Sequence, residues 1–391
     1  MVVEATFAGV GRHVVDLSRA LVARGHTIHL AYSPVRMEEC FQNGITGLEN
    51  LHVHSLPMTR SPSLRDLHST IALRRCIRKH GPFDVIHGHS SKGGAIARLA
   101  GAGTGAARVY TAHAFRTLDP NLGRVERVLY ESAESLLGRH MTETFIGVTQ
   151  EEVDEGRRLG IRPERALLVP NGIELPPLPA RANIRRRLGL AEDHVCLMWV
   201  GRLAPQKAPD RFVRLFARLA AETAEATAVM IGSGPLEAEV HTLVGALGLR
   251  ERLRVVEDQR AVESMPGADI YVMTSCYEGL PYVLLEAQSV GLPVVGFEAG
   301  GLRAAIEHGT TGFALAQSDE PGFLDVLRRL IADPGLRRAM GIMAARRAGC
   351  FRLDRMVERT EAIYQALVDQ RWPVASDDDQ QPPRSSAEFR C

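Results

Sequence analysis

Short apolar runs rich in Val and Ile recur along most of the chain, separated by longer stretches of helical hydrophobic period. Strands that pair in parallel need long crossover connections, usually helical, so this alternation predicts α/β architecture rather than hairpins or a helical bundle. It occurs in two successive series, which predicts two parallel-sheet α/β domains in tandem. In the first, strands are expected at Val2–Phe7, His26–Tyr32, Leu51–Leu56, Asp84–His87, Arg108–Thr111 and Thr144–Val148. Helices are expected at His13–Arg24, Ser63–His80, Gly94–Ala100, Arg124–Gly138 and Glu151–Leu159. The second series has strands at Val195–Val200, Thr227–Ile231, Leu253–Val256, Ile270–Thr274 and Pro293–Phe297. Its helices start near Pro209, cover Leu236–Leu247 and Tyr282–Val290, and dominate from Glu320 to about Trp372.

The length, 391 residues, agrees, since single cores stop growing near ~250–300 residues. Between the series, LVPNGIELPPL (168–178) combines an Asn-Gly turn with prolines and reads as an extended connector. The expected division is a first domain over 1–173, a second over 174–351, a helix over 352–372 returning to the first domain, and a polar, disordered tail over 373–391.

Lys and Arg number 47 against 46 Asp and Glu, a formal charge of +1, which argues against a nucleic-acid partner. No run approaches the ~18 apolar residues of a membrane span, and the opening MVVEATFAGVGRHVV lacks the features of a secretory signal, so a cytoplasmic protein is expected. Six scattered cysteines without a CxxC pair read as reduced thiols.

The most informative stretch is SCYEGLPYVLLEAQSVGLPVV (275–295). Glu278, Gly279, Leu280 and Pro281 lie in a loop between a strand and a helix, so backbone N–H groups at a helix N-terminus could meet a diphosphate. Glu286 follows near the second turn, where a carboxylate could accept from ribose hydroxyls, and Glu278 could do the same for a sugar. A second stretch, VGRLAPQKAPD (200–210), puts Arg202 and Lys207 between a strand end and a helix, where both could reach a phosphate. Gly232-Ser233-Gly234-Pro235 and Gly300-Gly301 could let backbone approach a ligand or be tight turns. In the first series, Gly9 and Gly11 are expected in a loop after the first strand. His87, His89 and His113 end strands, where open α/β sheets face their ligand. A dinucleotide fingerprint would need a third glycine where Val14 stands and an acidic residue after the second strand, so the oxidoreductase reading loses support.

These residues resemble the retaining GT-B glycosyltransferases, specifically the family-4-like "glycosyl transferases group 1" that includes sucrose synthases and bacterial mannosyltransferases. The resemblance rests on two glutamates eight positions apart, Glu278 and Glu286, within an EG-x-P…LEA frame, and on the GR-x-x-x-x-K frame of Arg202 and Lys207. It implies two Rossmann-like domains facing across a cleft and a nucleotide-sugar donor bound by Gly9, Gly11, Arg202, Lys207, Gly279, Leu280 and Glu286. His113 and Glu278 are implied at the reacting sugar. The chain departs from the family where Ser233 replaces Asp, where Arg303-Ala304 follows Gly300-Gly301, and at Glu257-Asp258-Gln259-Arg260, which lacks a common glycine. GVGRHV, HSSKGG and HAF look like enzymes of bacterial surface polysaccharides, which implies a glycan or lipid-linked acceptor.

No cofactor and no metal are expected: the one DxD match, Asp377-Asp378-Asp379, lies in the tail. From Arg60 to Arg127, 12 Lys or Arg face four acidic residues, an excess of eight that suggests peripheral membrane contact or simply a solvated basic face. The rival functions are a sugar-nucleotide epimerase or phosphorylase of the same architecture, or a non-catalytic nucleotide-sugar sensor or partner subunit. A phosphorylase should carry a pyridoxal-binding lysine in its second domain, and Lys207 is the only lysine after Lys92.

Overall fold

The computed structural model describes residues 1–35, 37–59, 63–175, 177–257 and 261–369. The expected tail, its Asp377-Asp378-Asp379 run and three residues of the turn at Glu257 lie outside them. The chain forms two compact units, one from Met1–Gly172 together with the segment from Leu353, the other from Ile173–Arg352.

The first unit is built on seven strands: β1 Val2–Val3, β2 Ile28–Tyr32, β3 Leu51–Ser55, β4 Val85–His89, β5 Ala107–Thr111, β6 Thr144–Gly147 and β7 Ala166–Leu168. They lie in the order β3-β2-β1-β4-β5-β6-β7, every pair parallel. The second unit has six, again all parallel: β8 Val195–Val200, β9 Ala226–Ile231, β10 Leu253–Val256, β11 Ile270–Met273, β12 Val294–Phe297 and β13 Gly312–Leu315, in the order β10-β9-β8-β11-β12-β13. Both are doubly wound sheets of Rossmann type. Strand β8, VCLMWV, is buried at every position, as a central parallel strand covered on both faces requires.

Three differences from the sequence reading matter. Strand β1 has two residues where six were expected; past Val3, Glu4–Phe7 leave the sheet, and Thr6 instead accepts the Glu38 N–H and gives its hydroxyl to the Ser33 carbonyl. The first helix starts at Ala8 rather than His13, so Gly9 and Gly11 stand in its first turn and not in a loop. Strands β7 and β13 and the helix Arg181–Leu188 were not foreseen: the strands are three and four residues long, too short for a periodic signal, and the helix, RANIRRRL, carries four arginines among scattered apolar residues.

The helix Leu353–Val368 belongs to the first unit. Met356, Val357 and Ile363 bury against Leu17 and Leu21 of the helix Ala8–Ala23 and against Val109, Ile146 and Val169. Arg24 pairs with Glu361 at 2.6 Å beside them. The second unit has its own core, in which Leu197 and Trp199 meet Phe212, Phe216, Phe297 and Phe323. Among the described residues, no helix is long and apolar enough to cross a membrane, and the five cysteines are free thiols.

Candidate functional site

In the second sheet the strand order reverses between β8 and β11, and the loops leaving the C-terminal ends of these neighbours flank that point. Open α/β sheets bind ligands outside the carboxyl ends at such a switch. The loops are Gly201–Ala208 and Thr274–Pro281, the two segments singled out by sequence. They are stitched together. The Thr274 hydroxyl reaches the carbonyls of Lys207 and Ala208 at 3.0 and 2.9 Å while accepting the Trp199 indole N–H at 3.1 Å. Cys276 N–H donates to the Gln206 carbonyl at 2.8 Å, and the Gln206 amide donates to the Tyr277 carbonyl at 3.1 Å.

This brings Lys207 and Glu278 together, with Nζ 2.5 Å from Oε1, both largely withdrawn from solvent. The contact is an ion pair without hydrogen-bond alignment, since Oε1 has no well-directed donor. Tyr271, on β11, lies within electrostatic reach of both Glu278 and Glu286; burial above all, then these two carboxylates, pushes its phenol well up, and its hydroxyl donates to the Val200 carbonyl at 3.3 Å. Glu286 is buried in the helix Tyr282–Ser289, whose N-cap is Pro281. Gly279 and Leu280 are buried too. Arg202 is exposed directly after β8.

The two glycine pairs are buttresses for these loops. A Cβ on Gly232, where φ is +140°, would sit 2.0 Å from the Gly201 carbonyl oxygen, and one on Gly301 would sit 2.0 Å from that of Gly279. Gly301 N–H donates to that same Gly279 carbonyl at 2.8 Å.

In the first sheet the order reverses between β1 and β4. His13, His89 and His113 gather there, with one ring nitrogen of each within 4.8 Å of the others. His89 Nδ1 is 3.1 Å from His113 Nε2, and His13 Nδ1 is 3.1 Å from the Asn171 side-chain oxygen. Burial, foremost, lowers all three rings, His13 to about 4, so all are neutral at pH 7 and can donate or accept a hydrogen bond. Three neutral imidazoles could also ligate a metal. His87, by contrast, is a structural residue: its nitrogens meet the Tyr364 hydroxyl at 2.5 Å and the Thr111 hydroxyl at 2.9 Å.

At the Ala8–Ala23 helix start, Gly11 is buried and a Cβ on it would meet the Thr6 carbonyl carbon at 2.8 Å; Gly9 is half-buried. The Ala8 N–H already holds the Glu38 carboxylate at 3.0 Å, so an acid stands where a helix N-terminus would take an anion. In HSSKGG, Lys92 pairs with Asp66 at 2.8 Å, and a Cβ on Gly94 would lie 2.3 Å from the Tyr110 ring, so that segment is committed to packing.

Sequence reasoning missed Glu152 and Tyr271. Glu152 accepts the N–H groups of Ala114 and Val148 and so braces the turn bearing His113. The backbone marks the same places. Among the described residues, those other than glycine with positive φ are Ala8, Ser90, His113, Ala114 and Ala208, each in the segment that follows β1, β4, β5 or β8 at its C-terminal end. Such conformations cost of order 1–3 kcal/mol each and concentrate at functional sites.

The expected basic face is much reduced. Of its twelve cations, Lys92, Arg98, Arg108 and Arg116 form ion pairs with Asp66, Glu134, Glu143 and Asp119, while Arg74 and Arg127 donate to backbone carbonyls. The exposed residues of the helix Arg65–His80 include Arg65, an apolar pair, Leu67 and Ile71 after Leu64, and then Arg75, Arg78 and Lys79.

The chain matches two family models, Glycosyl transferases group 1 over residues 180–347 and Glycosyl transferase 4-like domain over residues 8–172. It is 31% identical over 308 residues to a D-inositol 3-phosphate glycosyltransferase of Streptomyces avermitilis, covering 74% of this chain and 66% of that protein. Identity to the protein of the same description from Actinosynnema mirum is 31% over 316 residues, or 75% of this chain and 76% of that one. Its fold is similar to that of Anabaena HepE, solved with UDP and glucose, at a TM-score of 0.78 and 18% identity, over 94% of this chain and 100% of that one.

Proposed function

The chain belongs to the glycosyl transferases group 1, and from that membership we propose that it is a retaining, metal-independent hexosyltransferase. It moves a sugar from a nucleotide-sugar donor to a glycan or lipid-linked acceptor of bacterial surface-polysaccharide synthesis. The observation that carries the reading is the Lys207–Glu278 pair held between the stitched loops at the β8–β11 switch point. A basic group for the leaving diphosphate and an acid for sugar hydroxyls stand side by side there.

In this reading Arg202, Lys207 and the amides of Gly279 and Leu280 stabilise charge growing on the departing diphosphate, and Glu286 accepts from the ribose. Glu278 accepts from the hexose, so donor binding re-partners Lys207 from carboxylate to phosphate. Gly9 and Gly11 take part in donor binding, and the neutral His113 serves as a hydrogen-bonding group near the reacting carbon. The bond from the anomeric carbon to phosphate breaks and a bond to the acceptor oxygen forms on the same face. The acceptor proton passes to the departing phosphate oxygen. HepE, solved with UDP and glucose, supports a uridine donor as the first to try. The exposed apolar and basic stretch of Arg65–His80 suits a lipid-linked acceptor presented at a cytoplasmic membrane face.

The test is a transfer assay with a panel of nucleotide-sugars and acceptors in excess chelator, with proton NMR of the new linkage. Turnover with retained anomeric configuration is expected. Activity that returns only with magnesium or manganese, an inverted product, or donor binding without any hydrolysis or transfer would overturn the reading. By calorimetry, Glu286→Ala should weaken free nucleoside diphosphate, whereas Glu278→Ala should spare it and lose the added affinity of the sugar conjugate.

A further inference from the structure

We propose that the first unit holds a second, separate site, for a zinc-class divalent transition metal, formed by His54, Cys76 and His80. The ligand atoms of these three residues all lie within 4.8 Å of one another. Cys76 and His80 stand four residues apart on the helix Arg65–His80, which puts them on one face. His54 comes from β3, the edge strand. A thiolate with two imidazoles is a ligand set suited to zinc.

The surroundings fit a metal better than a packing role. His29 is in register with His52 across β2 and β3, and its Nδ1 is 2.9 Å from His54 Nε2. In the tautomer in which His54 donates through Nε2 to His29, the Nδ1 lone pair of His54 is left for a metal, the arrangement by which ligating histidines are commonly oriented. His54 and His80 rings lie 4.9 Å apart, and His29 lies 5.4 Å from His80. A cysteine ligates a metal as its thiolate. Binding therefore displaces the thiol proton to solvent. His29, His54 and Cys76 also line a cavity of about 280 Å³, so space exists beside two of the three ligands for a water or a fourth donor.

This site owes nothing to sugar transfer. It lies between β3 and the helix Arg65–His80, and none of its residues belongs to the His13–His89–His113 group. Its consequence would be to fasten the edge of the sheet to that helix.

The experiment uses the full-length protein, stripped with chelator and titrated with one equivalent of Co²⁺ or Zn²⁺. Co²⁺ should give tetrahedral d–d bands and a thiolate-to-cobalt charge-transfer band, and Zn²⁺ should raise the thermal midpoint. Cys76→Ser, nearly isosteric, should abolish the charge-transfer band and most of the midpoint shift while its metal-free midpoint stays that of the wild type. His29→Ala, which removes an orienting partner, should weaken Zn²⁺ by about 10–100-fold. His89→Ala should leave the band intact. No charge-transfer band in the wild type, Zn²⁺ affinity unchanged in Cys76→Ser, or a signal lost in His89→Ala but kept in Cys76→Ser would each overturn the proposal.

Discussion

Glu152 has two tasks that its place in the chain does not separate. Thr149-Gln150-Glu151-Glu152 reads as a capping box, and the Thr149 hydroxyl does accept the Glu152 N–H at 3.2 Å. The carboxylate, however, reaches past its own helix to the N–H groups of Val148 and Ala114, the latter 38 residues away. The sequence shows the cap and hides the brace, because the brace depends on β5 and β6 being neighbours. Burial raises this carboxyl from 4.5 to about 7. Its folded pKa thus lies above its unfolded one, so its contribution to stability is complete below about 4.5 and is lost as pH rises through about 7. Measured by chemical denaturation, wild-type stability should fall relative to Glu152→Gln between those pH values and then level off. A difference that is flat across the window, or that grows with pH, would show that the carboxyl does not titrate there. The Lys207–Glu278 pair was likewise legible only as two separate residues, since nothing in the spacing says that a Lys after β8 and a Glu after β11 will meet until those strands are known to be adjacent.

At the scale of elements, both parallel sheets were readable because long buried strands such as β8 and amphipathic crossovers such as Pro209–Glu222 carry clear periods. The start of the first helix was not. Ala8–Arg12 contains two glycines, a loop signal, yet Gly11 is needed because the helix passes against the Thr6 backbone. The same reasoning gives Gly301 its importance. Ala there would drive a methyl into the Gly279 carbonyl and break the bond that fixes the loop of Glu278, at an overpacking cost of about 1–3 kcal/mol. Gly301→Ala should therefore lower nucleotide-sugar affinity at least tenfold by calorimetry, at a temperature where the variant is fully folded. Gly248→Ala is the control: φ is +68° but nothing lies within 4 Å, so stability drops while affinity holds. Equal losses of affinity in both variants would mean that Gly301 acts through general stability alone.

For the whole molecule, the informative fact is that the second unit is continuous in sequence and the first is not. Ile173 and Arg352 form a bridge where the chain enters and leaves the second unit, and Ile173 N–H donates to the Phe351 carbonyl at 2.8 Å, so the unit's ends lie side by side. Each sheet has its own core, and the main apolar cluster of the second unit is built from residues between 195 and 340. A fragment 173–352 should then fold alone with one cooperative thermal transition and retain binding of a nucleoside diphosphate. A fragment 1–172 should not, because it lacks the helix Leu353–Val368 and uncovers Leu17, Leu21, Val109 and Ile146. Each large aliphatic side chain so exposed forfeits roughly 1.5–3 kcal/mol, against a total of only about 5–15 kcal/mol for a domain. Circular dichroism and dye binding should find 1–172 with helical signal, exposed apolar surface and no sharp transition, and a covalently joined 1–172 plus 353–369 should recover one. If 1–172 melts cooperatively on its own, the returning helix is an accessory to the first unit instead of part of its core.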